Sequence, residues 1–370
     1  MSAATASIST SAIAHNVGVF RDLIGDSRLC AVVKADGYGH GAVAVANAAL
    51  DAGAAWLAVA TANEAVELAE VAESRMAPVL VLSERPKSEL RQCWAELPST
   101  IRFVVASLGG ARTIDSLADA PVPVHMKVDT GMHRMGIDPG GVVSLAELIE
   151  SLPSLVLEGV CTHLAVADEP GNEFTSEQAA RFDETLADLD AHGRVVPIVH
   201  MANSAATITR PDTHRDMVRL GIAMYGTPPS LALNGVVDLH PALRLSAEVT
   251  AVRMVGGSES VSYGRHWFAE DETRVATLPI GYADGIRRNS ADARVEVLIR
   301  GCRFPIVGAV TMDQTMVAVD DSVEVGDEVV LIGTQGSSSI SAEEIAERLG
   351  TISYEVLVSL GNRIARRVVE

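Results

Sequence analysis

The sequence predicts an α/β protein in which an N-terminal TIM-type (β/α)8 barrel is followed by a mainly β C-terminal domain. Short apolar runs alternate with helix-like segments through the first two-thirds of the chain. After about Asn234 this alternation gives way to strand-like runs separated by Gly, Asp and Ser turns. Alternating strands and helices indicate a parallel sheet, whereas successive short strands indicate a separate β domain. The length of 370 residues suits two domains.

Eight apolar runs are the predicted barrel strands, at 29–33, 56–60, 78–82, 101–106, 122–128, 156–164, 196–202 and 217–225. Helices are predicted between most of them, at 42–52, 63–73, 110–117, 142–151 and 177–192. Thr61 and Glu64 have the spacing of a capping box at a helix start. Eight strand–helix units are the number that closes a parallel barrel.

The predicted domains are 1–235 for the barrel and 236–370 for the β domain. Residues 6–10 could form a strand that pairs with the second domain, and Ser11 could cap a helix that runs to Ile24. In the second domain, strands are predicted at 243–254, 273–280, 294–299, 305–310, 315–319 and 328–332. A helix is predicted at 342–349, with Ser341 as its cap.

Composition narrows the class of protein. Hydrophobic residues make up 48% of the chain and charged residues 21%, which is typical of a globular protein with a large core. The net charge of -19 argues against nucleic acid or an anionic membrane as a partner. The first residues lack the pattern of a secretory signal, and no apolar run approaches the ~18 residues of a membrane span. Cys30, Cys93, Cys161 and Cys302 lack metal or redox spacing and are predicted to be core residues of a cytoplasmic protein.

Lys34 is the most informative candidate for chemistry. It ends the apolar run that starts at Leu29, and Gly37, Gly39 and Gly41 follow it. Glycines allow a tight turn and a close backbone approach at the end of a strand. Burial there would lower the pKa of the lysine, and a neutral amine can form a Schiff base with an aldehyde. A strand-end lysine that simply reaches water fits this segment equally well.

Other polar residues follow the predicted barrel strands where chemistry gathers, at the carboxyl ends. They are Lys127 and Arg134 after strand five, His163 after strand six, Asn203 and Ser204 after strand seven, and Arg219, Gly221 and Ile222 on and after strand eight. The loops after strands seven and eight often bind phosphate in such barrels. Structural alternatives stay open, because His163 could be a core histidine and Lys127 could pair with Asp129 or Glu158.

A reactive lysine beside a phosphate site suggests pyridoxal phosphate. Arg219 then fits the partner of the pyridine nitrogen, one of the residue types used at that position. Because an arginine does not give up its proton, the ring nitrogen would stay unprotonated. That favours a brief removal and return of a proton over decarboxylation or transamination.

The motifs resemble those of the alanine racemase family, from about Ser7 to Arg367. They are the runs that begin at Val32, Lys127, His200, Val218, Val261, Pro279 and Met312. The resemblance implies a barrel followed by a β domain, a head-to-tail homodimer with shared active sites, and no metal. It also implies interconversion of L- and D-alanine through a pyridoxal-phosphate Schiff base, which supplies D-alanine for peptidoglycan.

The resemblance also implies roles for single residues. Lys34 would hold the cofactor and exchange the α-proton on the D face, and Tyr263 of the second subunit would do so on the L face. The other implied cofactor contacts are Tyr38, His163, Asn203, Ser204, Arg219, Gly221 and Ile222. Arg134 and Met312 would bind substrate. Lys127 resembles a lysine that is carbamylated in many members, and Tyr282 and Asp313 would line the entry or support Tyr263.

One departure from the family pattern affects substrate breadth. Asn362 stands where many members have a tyrosine that borders the substrate, and a smaller amide could admit serine beside alanine. The alternatives are therefore a broader alanine/serine racemase or a related decarboxylase, which would be expected to carry a carboxylate in place of Arg219. A metal-dependent barrel hydrolase could use Lys127, His163 and His200, but the sequence has no His-x-His pair. A non-catalytic carrier of pyridoxal phosphate would need no second domain.

Overall fold

The computed structural model describes residues 4–370. Within that range, β1 (Ala4–Ser9) precedes a barrel of eight parallel strands. The barrel strands are β2 (Arg28–Val32), β3 (Trp56–Val59), β4 (Val79–Val81), β5 (Ile101–Val105), β6 (Val122–Lys127), β7 (Leu155–Cys161), β8 (Ile198–His200) and β9 (Met217–Leu220). From β2 to β8 each strand pairs with the next along the chain, and β2 also pairs with β9. Backbone hydrogen bonds from Asp216 to Val199 (3.1 Å) and from Arg219 to Ala202 (3.0 Å) join the β8 and β9 segments, so the sheet closes.

Helices accompany these strands: α1 (Thr10–Ile24), α2 (Lys34–Tyr38), α3 (Ala42–Asp51), α4 (Ala62–Glu67), α5 (Ala69–Arg75), α6 (Lys87–Cys93), α7 (Leu108–Asp115), α8 (Val142–Ser151), α9 (Phe174–Ala191) and α10 (Ser204–Thr209). In α8 the buried residues are Val142, Leu145, Ala146 and Ile149, at the spacing of one helix face. The strands are apolar almost throughout because helices cover one side of the sheet and the packed barrel interior covers the other.

The remaining strands form the β part of the molecule: β10 (Leu243–Glu248), β11 (Ala251–Val255), β12 (Ser260–Val261), β13 (Trp267–Phe268), β14 (Thr273–Leu278), β15 (Glu296–Ile299), β16 (Cys302–Pro305), β17 (Thr315–Val319), β18 (Glu328–Gln335), β19 (Ser338–Ile340) and β20 (Ala365–Val369). Two helices, α11 (Ala342–Leu349) and α12 (Ser353–Val358), lie between β19 and β20. The main sheet has the order β16-β15-β18-β10-β1-β20, with β19 paired to β18. A second sheet has the order β11-β14-β17.

The chain divides into two compact units. The barrel unit contains Ser11–Gly37 and Ala42–His240, and the β unit contains the segment up to Thr10, Tyr38–Gly41 and Pro241–Glu370. The predicted bounds, 1–235 and 236–370, differ from this division at the crossover and omit the Tyr38–Gly41 excursion. The fold class itself, a (β/α)8 barrel followed by a mainly β domain, is confirmed. Within residues 4–370, no helix has the length and apolar character needed to cross a bilayer.

Several predicted elements were wrong in detail. Ser11 does not cap α1, because the helix already begins at Thr10. The run 243–254 forms two strands in different sheets, β10 and β11. The run 305–310 is not a continuous strand, since β16 ends at Pro305, pairing with β17 stops after Val307, and the buried Val310 lies in a loop. Apolar spacing reports burial, and burial does not require strand pairing.

Three further details also differ from prediction. The predicted helix 63–73 is two helices, α4 and α5, interrupted at Leu68. Helices α6 and α12 were not predicted at all. Cys302 is exposed, whereas Cys30, Cys93 and Cys161 are buried as expected.

Candidate active site

Lys34 follows β2 directly and begins a tight left-handed turn. Ala35, Asp36, Gly37 and Tyr38 all have positive φ, between 51° and 60°. The Ala35 N–H donates to Glu64 Oε1 at 2.7 Å. Glu64 also completes the capping box with Thr61 at the start of α4, so the predicted capping box is confirmed. One carboxylate therefore fixes both a helix start and the turn that presents Lys34.

The site contains two lysines with limited access to water, the half-buried Lys34 and the buried Lys127. Burial lowers the pKa of the half-buried Lys34 below its ordinary value, and the positive charges of Arg134 and Arg219 lower it further against the opposing effect of Glu64. Burial likewise lowers the pKa of Lys127, with Arg219 and Arg134 adding to the effect. Within residues 4–370 neither amine forms an ion pair. Both lysines are therefore neutral, and so nucleophilic, more often than a surface lysine.

Arg219 is buried on β9 and makes four hydrogen bonds in the barrel interior. Its guanidinium donates to the carbonyl oxygens of Thr162 (2.8 Å) and Met201 (3.0 Å). It also donates to Nδ1 of His200 (2.7 Å) and of His163 (3.2 Å). None of these partners is a carboxylate, so the side chain is held firmly while its positive charge stays available to an acceptor.

A chain of hydrogen bonds leads from Arg219 across the barrel. His200 Nε2 lies 2.8 Å from His125 Nδ1, and His125 Nε2 lies 3.2 Å from Glu158 Oε2. Arg102 approaches the same carboxylate at 3.2 Å. Arginine only donates and a carboxylate only accepts, so each imidazole must accept through Nδ1 and donate through Nε2. We call these residues, Arg219, His200, His125 and Glu158, the barrel relay.

Burial keeps both relay histidines neutral. It lowers the pKa of His125 despite the opposing effect of Glu158, and it lowers the pKa of His200 well below the ordinary range with help from Arg219. The packing is tight, because a Cβ on Gly159 would lie 2.4 Å from His125 Nδ1. Sequence reasoning did not assign His125 or Glu158 to the site. The available signal was a polar residue inside each of two apolar runs, 122–128 and 156–164.

The loops after β8 and β9 are joined by Ser204. Its hydroxyl accepts a hydrogen bond from the Gly221 N–H at 2.9 Å. Asn203 caps α10, with Oδ1 accepting from the Ala206 N–H at 3.0 Å. Ile222 starts the short helix Ile222–Tyr225 directly after Gly221. The predicted phosphate residues Asn203, Ser204, Gly221 and Ile222 are thus adjacent at the carboxyl ends of neighbouring strands.

Arg134 and His163 complete the barrel set. Arg134 is exposed in a turn that Asp129 organises by accepting from the Gly131 and His133 N–H groups, at 2.9 and 3.0 Å. Burial lowers the pKa of His163 well below the ordinary range. Four neighbouring positive charges lower it further: Arg219, Lys127, Arg134 and Lys34. Four basic side chains therefore act on one neutral imidazole, which makes this end of the barrel suited to anions.

The predicted residues of the β unit lie on its surface. Tyr263 is 72% exposed in the turn Tyr263–Arg265, and Met312 is 53% exposed. The Met312 carbonyl accepts from the Ala283 N–H at 3.0 Å, which brings Met312 beside Tyr282. Gly281 permits this contact, because a Cβ there would lie 2.5 Å from the Met312 carbonyl oxygen.

Asp313 and Asn362 belong to the same part of the β unit. Asp313 Oδ1 accepts from Arg363 at 2.8 Å, and Arg363 also binds both oxygens of the buried Asp284. Asn362, the neighbour of Arg363, is exposed. The structure therefore brings Tyr282, Met312, Asp313 and Asn362 together within one unit.

Tyr38 differs from the other phosphate candidates. It lies in the excursion Tyr38–Gly41, which belongs to the β unit, and its ring centroid is 6.2 Å from that of Tyr354. Burial raises the pKa of its hydroxyl, so Tyr38 is neutral and able to donate a hydrogen bond. Its predicted contact with phosphate stays a prediction.

Comparison with known proteins identifies the family. The model of the alanine racemase N-terminal domain matches residues 8–229, and that of the alanine racemase C-terminal domain matches residues 242–368. The chain belongs to the alanine racemase family. This confirms the resemblance inferred from the motifs. The match also rules out the barrel-hydrolase interpretation.

Alanine racemases of known sequence and structure match over almost the whole chain. The alanine racemase of Symbiobacterium thermophilum is 44% identical, over 98% of this chain and 96% of its own length. That of Nostoc sp. is 42% identical, over 97% and 94%. The crystal structure of the Bacillus anthracis alanine racemase with bound L-Ala-P has a TM-score of 0.93 at 36% identity, over 100% and 96%. The alanine racemase of the D-cycloserine producer Streptomyces lavendulae also has a TM-score of 0.93, at 35% identity, over 99% and 97%.

Proposed function

We propose that this protein is an alanine racemase that uses pyridoxal phosphate to interconvert L- and D-alanine and so supplies D-alanine for peptidoglycan in the cytoplasm. Family membership over both domains supports the reaction. The observation that carries the chemistry is a lysine of lowered pKa, Lys34, near the two arginines Arg134 and Arg219. A protein of net charge -19 concentrates positive charge here, where a phosphate and a substrate carboxylate would both be bound.

The donor set fits pyridoxal phosphate. The Ser204 hydroxyl accepts from the Gly221 N–H and keeps its own proton to donate, and the start of α10 adds further N–H groups. Arg219 offers a buried donor with no competing carboxylate, which suits the ring nitrogen. When bound, the cofactor supplies an electrophilic aldehyde and a conjugated ring that acidifies the α-carbon of an attached amino acid.

Three side chains of the barrel would each have a separate role in the proton transfer. Lys34 Nζ, whose pKa burial lowers, would hold the cofactor at rest and then take or return the α-proton on the D face. Arg134 would bind the substrate carboxylate through its planar fork, since it is free of ion pairs within residues 4–370. Arg219 would donate to the ring nitrogen and leave it unprotonated, which limits how much negative charge the ring accepts.

Inversion needs a second base on the opposite face, and Tyr263 is our candidate. A single base would tend to return the proton to the face it left. We propose that Tyr263 and Met312 act in the site of a second copy of the chain, in a homodimer. Their exposure supports this, because a tyrosine 72% exposed and a methionine 53% exposed have room for a partner.

Lys127 is proposed to act as a carbamate. A neutral amine reacts with carbon dioxide, and burial lowers the pKa of Lys127. The carbamic acid formed loses a proton to water, and the resulting carbamate carries a negative charge that could then orient Arg134. Labelling with ¹³C-bicarbonate should give one carbamate carbon signal per chain that is absent in Lys127→Arg. A wild-type spectrum without this signal would contradict the proposal.

Exchange of the α-proton with deuterium oxide tests the two bases. We expect Tyr263→Phe to slow exchange from L-alanine far more than from D-alanine, because the hydroxyl serves the L face. Lys34→Ala should also abolish the visible absorbance band that borohydride bleaches in the wild type. Equal loss of exchange from both enantiomers in Tyr263→Phe would contradict the assigned faces. Release of carbon dioxide from amino acids would instead favour the decarboxylase alternative.

A further inference from the structure

One buried side chain of α9 joins two of the loops that carry candidate site residues. Gln178 is fully buried within the barrel unit. Its amide oxygen accepts from the Ala165 N–H at 2.8 Å, and its amide nitrogen donates to the His163 carbonyl at 3.0 Å. The same nitrogen donates to Thr130 Oγ1 at 3.1 Å. The amide therefore connects the loop after β7, which carries His163, with the turn after β6, which carries Arg134.

The direction of these hydrogen bonds is fixed by two buried threonines. Thr162 Oγ1 donates its only proton to the Val128 carbonyl at 2.9 Å. Thr130 Oγ1 lies 2.8 Å from Thr162 Oγ1, so the Thr130 hydroxyl must donate there and accept from Gln178. The amide nitrogen of Gln178 must then face both Thr130 and the His163 carbonyl, since both accept. A buried network whose members are all satisfied favours one geometry over its alternatives.

The loop after β7 is held at two points. Arg219 donates to the Thr162 carbonyl at 2.8 Å and lies 3.2 Å from Nδ1 of His163. Gln178 holds the carbonyl of the same histidine. The position of the imidazole therefore depends on Arg219 at the ring and on Gln178 at the backbone, and loss of Gln178 would release the backbone contact.

The turn after β6 is attached to α9 near its start. The Thr130 carbonyl accepts from Arg181 at 3.0 Å, in addition to the bond between its hydroxyl and Gln178. Gly131 packs so closely on this helix that a Cβ there would lie 2.7 Å from Phe174 Cζ. Phe174, Gln178 and Arg181 have the spacing i, i+4 and i+7, so they share one face of α9. Contacts with that face set the position of the turn.

We propose that Gln178 is a positioning residue that fixes His163 and Arg134 relative to each other. The inference rests on the proposed function, in which His163 contacts the cofactor and Arg134 binds the substrate carboxylate. Loss of Gln178 would loosen both contacts, whereas loss of the Thr130 hydroxyl would loosen only the turn that carries Arg134. Because a displacement of about 1 Å can cost roughly 100-fold in rate, a residue that touches neither cofactor nor substrate can still control the site.

Two binding measurements separate these contacts. Propionate, which is alanine without its amine, is titrated into the holoenzyme by calorimetry and reports on the carboxylate site. Pyridoxal phosphate is titrated into the cofactor-free full-length protein, and its absorbance reports on cofactor affinity. We expect Gln178→Met, a change to a side chain of similar length, to weaken both by about tenfold. Thr130→Val should weaken propionate binding by about fivefold, as for the loss of one hydrogen bond, and leave cofactor affinity unchanged.

Thr185→Val is the matched control. Thr185 is also buried on α9, and its hydroxyl donates to the Arg181 carbonyl at 2.8 Å, so this hydrogen bond stays within the helix. The variant should leave both affinities unchanged. The proposal would be overturned if Thr130→Val bound propionate as tightly as wild type, or if Thr185→Val weakened either affinity as much as Gln178→Met.

The wild-type protein separates this inference from the proposed function. Wild type that binds neither pyridoxal phosphate nor propionate would contradict the proposed function itself. If wild type binds both and Gln178→Met binds them equally well, only the role of Gln178 is overturned. If Gln178→Met fails to fold, Thr130→Val still decides, because valine has the size and branching of threonine and the proposal requires a selective loss of propionate binding.

Discussion

The two units present their candidate catalytic residues in opposite ways. In the barrel unit, Arg219 is buried and bonded on several sides, and Lys127 is buried at the end of β6. In the β unit, Tyr263 and Met312 project from the surface, and Tyr263 is exposed over 72% of its area. The candidate residues of the barrel unit are therefore held in place by contacts within that unit. Those of the β unit are exposed, which is what the proposed sharing of sites between two chains requires.

Mixing two inactive variants would test this contrast most strongly. Lys34→Ala and Tyr263→Phe should each reduce racemization by about a thousandfold or more, as for loss of an essential acid or base. If the site is shared, co-expression in equal amounts should restore about a quarter of wild-type activity, because half of the dimers are mixed and each mixed dimer has one intact site. The measurement is racemization by the purified mixture. Activity that stays at the level of the single variants would mean that each chain uses its own Tyr263.

Removing the buried cation should be the most damaging change to stability. Arg219→Leu leaves two carbonyl oxygens and two imidazole nitrogens without a donor. We expect a loss of roughly 3 kcal/mol in the free energy of unfolding. Tyr263→Phe removes only an exposed hydroxyl and should change it by less than about 0.5 kcal/mol. Thermal unfolding at equal protein concentration, without cofactor, compares the two. Similar losses of stability in the two variants would contradict the view that the barrel residue is structurally integrated and the β-unit residue is not.

A smaller effect is expected for Asn362, an exposed residue of the β unit that we propose to influence substrate breadth. Asn362 is exposed in the β unit next to Arg363. Asn362→Tyr should lower kcat/KM for L-serine relative to L-alanine by about tenfold, since a pocket distinguishes one small group by only ~1–3 kcal/mol. Steady-state assays with both substrates measure the ratio. An unchanged ratio would remove Asn362 from the determinants of breadth, as would serine turnover in the parent protein many orders below that of alanine.

The contribution of Glu158, the last residue of the barrel relay, to the free energy of unfolding should depend modestly on pH. Burial raises the pKa of Glu158, but hydrogen bonds and charge from His125 and Arg102 outweigh burial, so its pKa lies below the ordinary value. The ionised carboxylate therefore stabilises the fold above the unfolded pKa of about 4.3, and this contribution is lost as the pH falls through the folded pKa.

Glu158→Gln tests that dependence. At pH 7 it should cost about 1 kcal/mol, because the carboxylate is partly exposed, and the difference from wild type should shrink between about pH 5 and pH 3. Glu177→Gln is the control, since Glu177 pairs with Arg181 at 3.1 Å on the surface. Thermal midpoints across this pH range provide the measurement. The prediction would be contradicted if the difference in thermal midpoint between Glu158→Gln and wild type stayed constant or grew as the pH falls.

Local signals predicted the elements whose causes are local. The helix at 142–151 and the Ser341-capped helix at 342–349 were predicted with their observed bounds, because periodicity and caps are written in neighbouring residues. Strand ends were less accurate. The run 217–225 pairs only to Leu220, since apolar residues continue into a buried turn.

Features that depend on residues distant in the sequence could not be predicted as well. The exposure of Tyr263 and the excursion of Tyr38 into the β unit are tertiary properties that no single segment contains. The barrel relay lies between these extremes. His125, Glu158, His200 and Arg219 occupy four neighbouring strands, β6 to β9, so the barrel order combined with polar residues in apolar runs would have brought them together.

The fixed direction of the barrel relay has a consequence for proton traffic. A chain of hydrogen bonds conducts protons only if each residue in it can both donate and accept a proton. Here the first member, Arg219, can only give. A proton taken up near Glu158 therefore cannot pass through the relay to Arg219, and the relay holds the guanidinium charge in place without conducting protons.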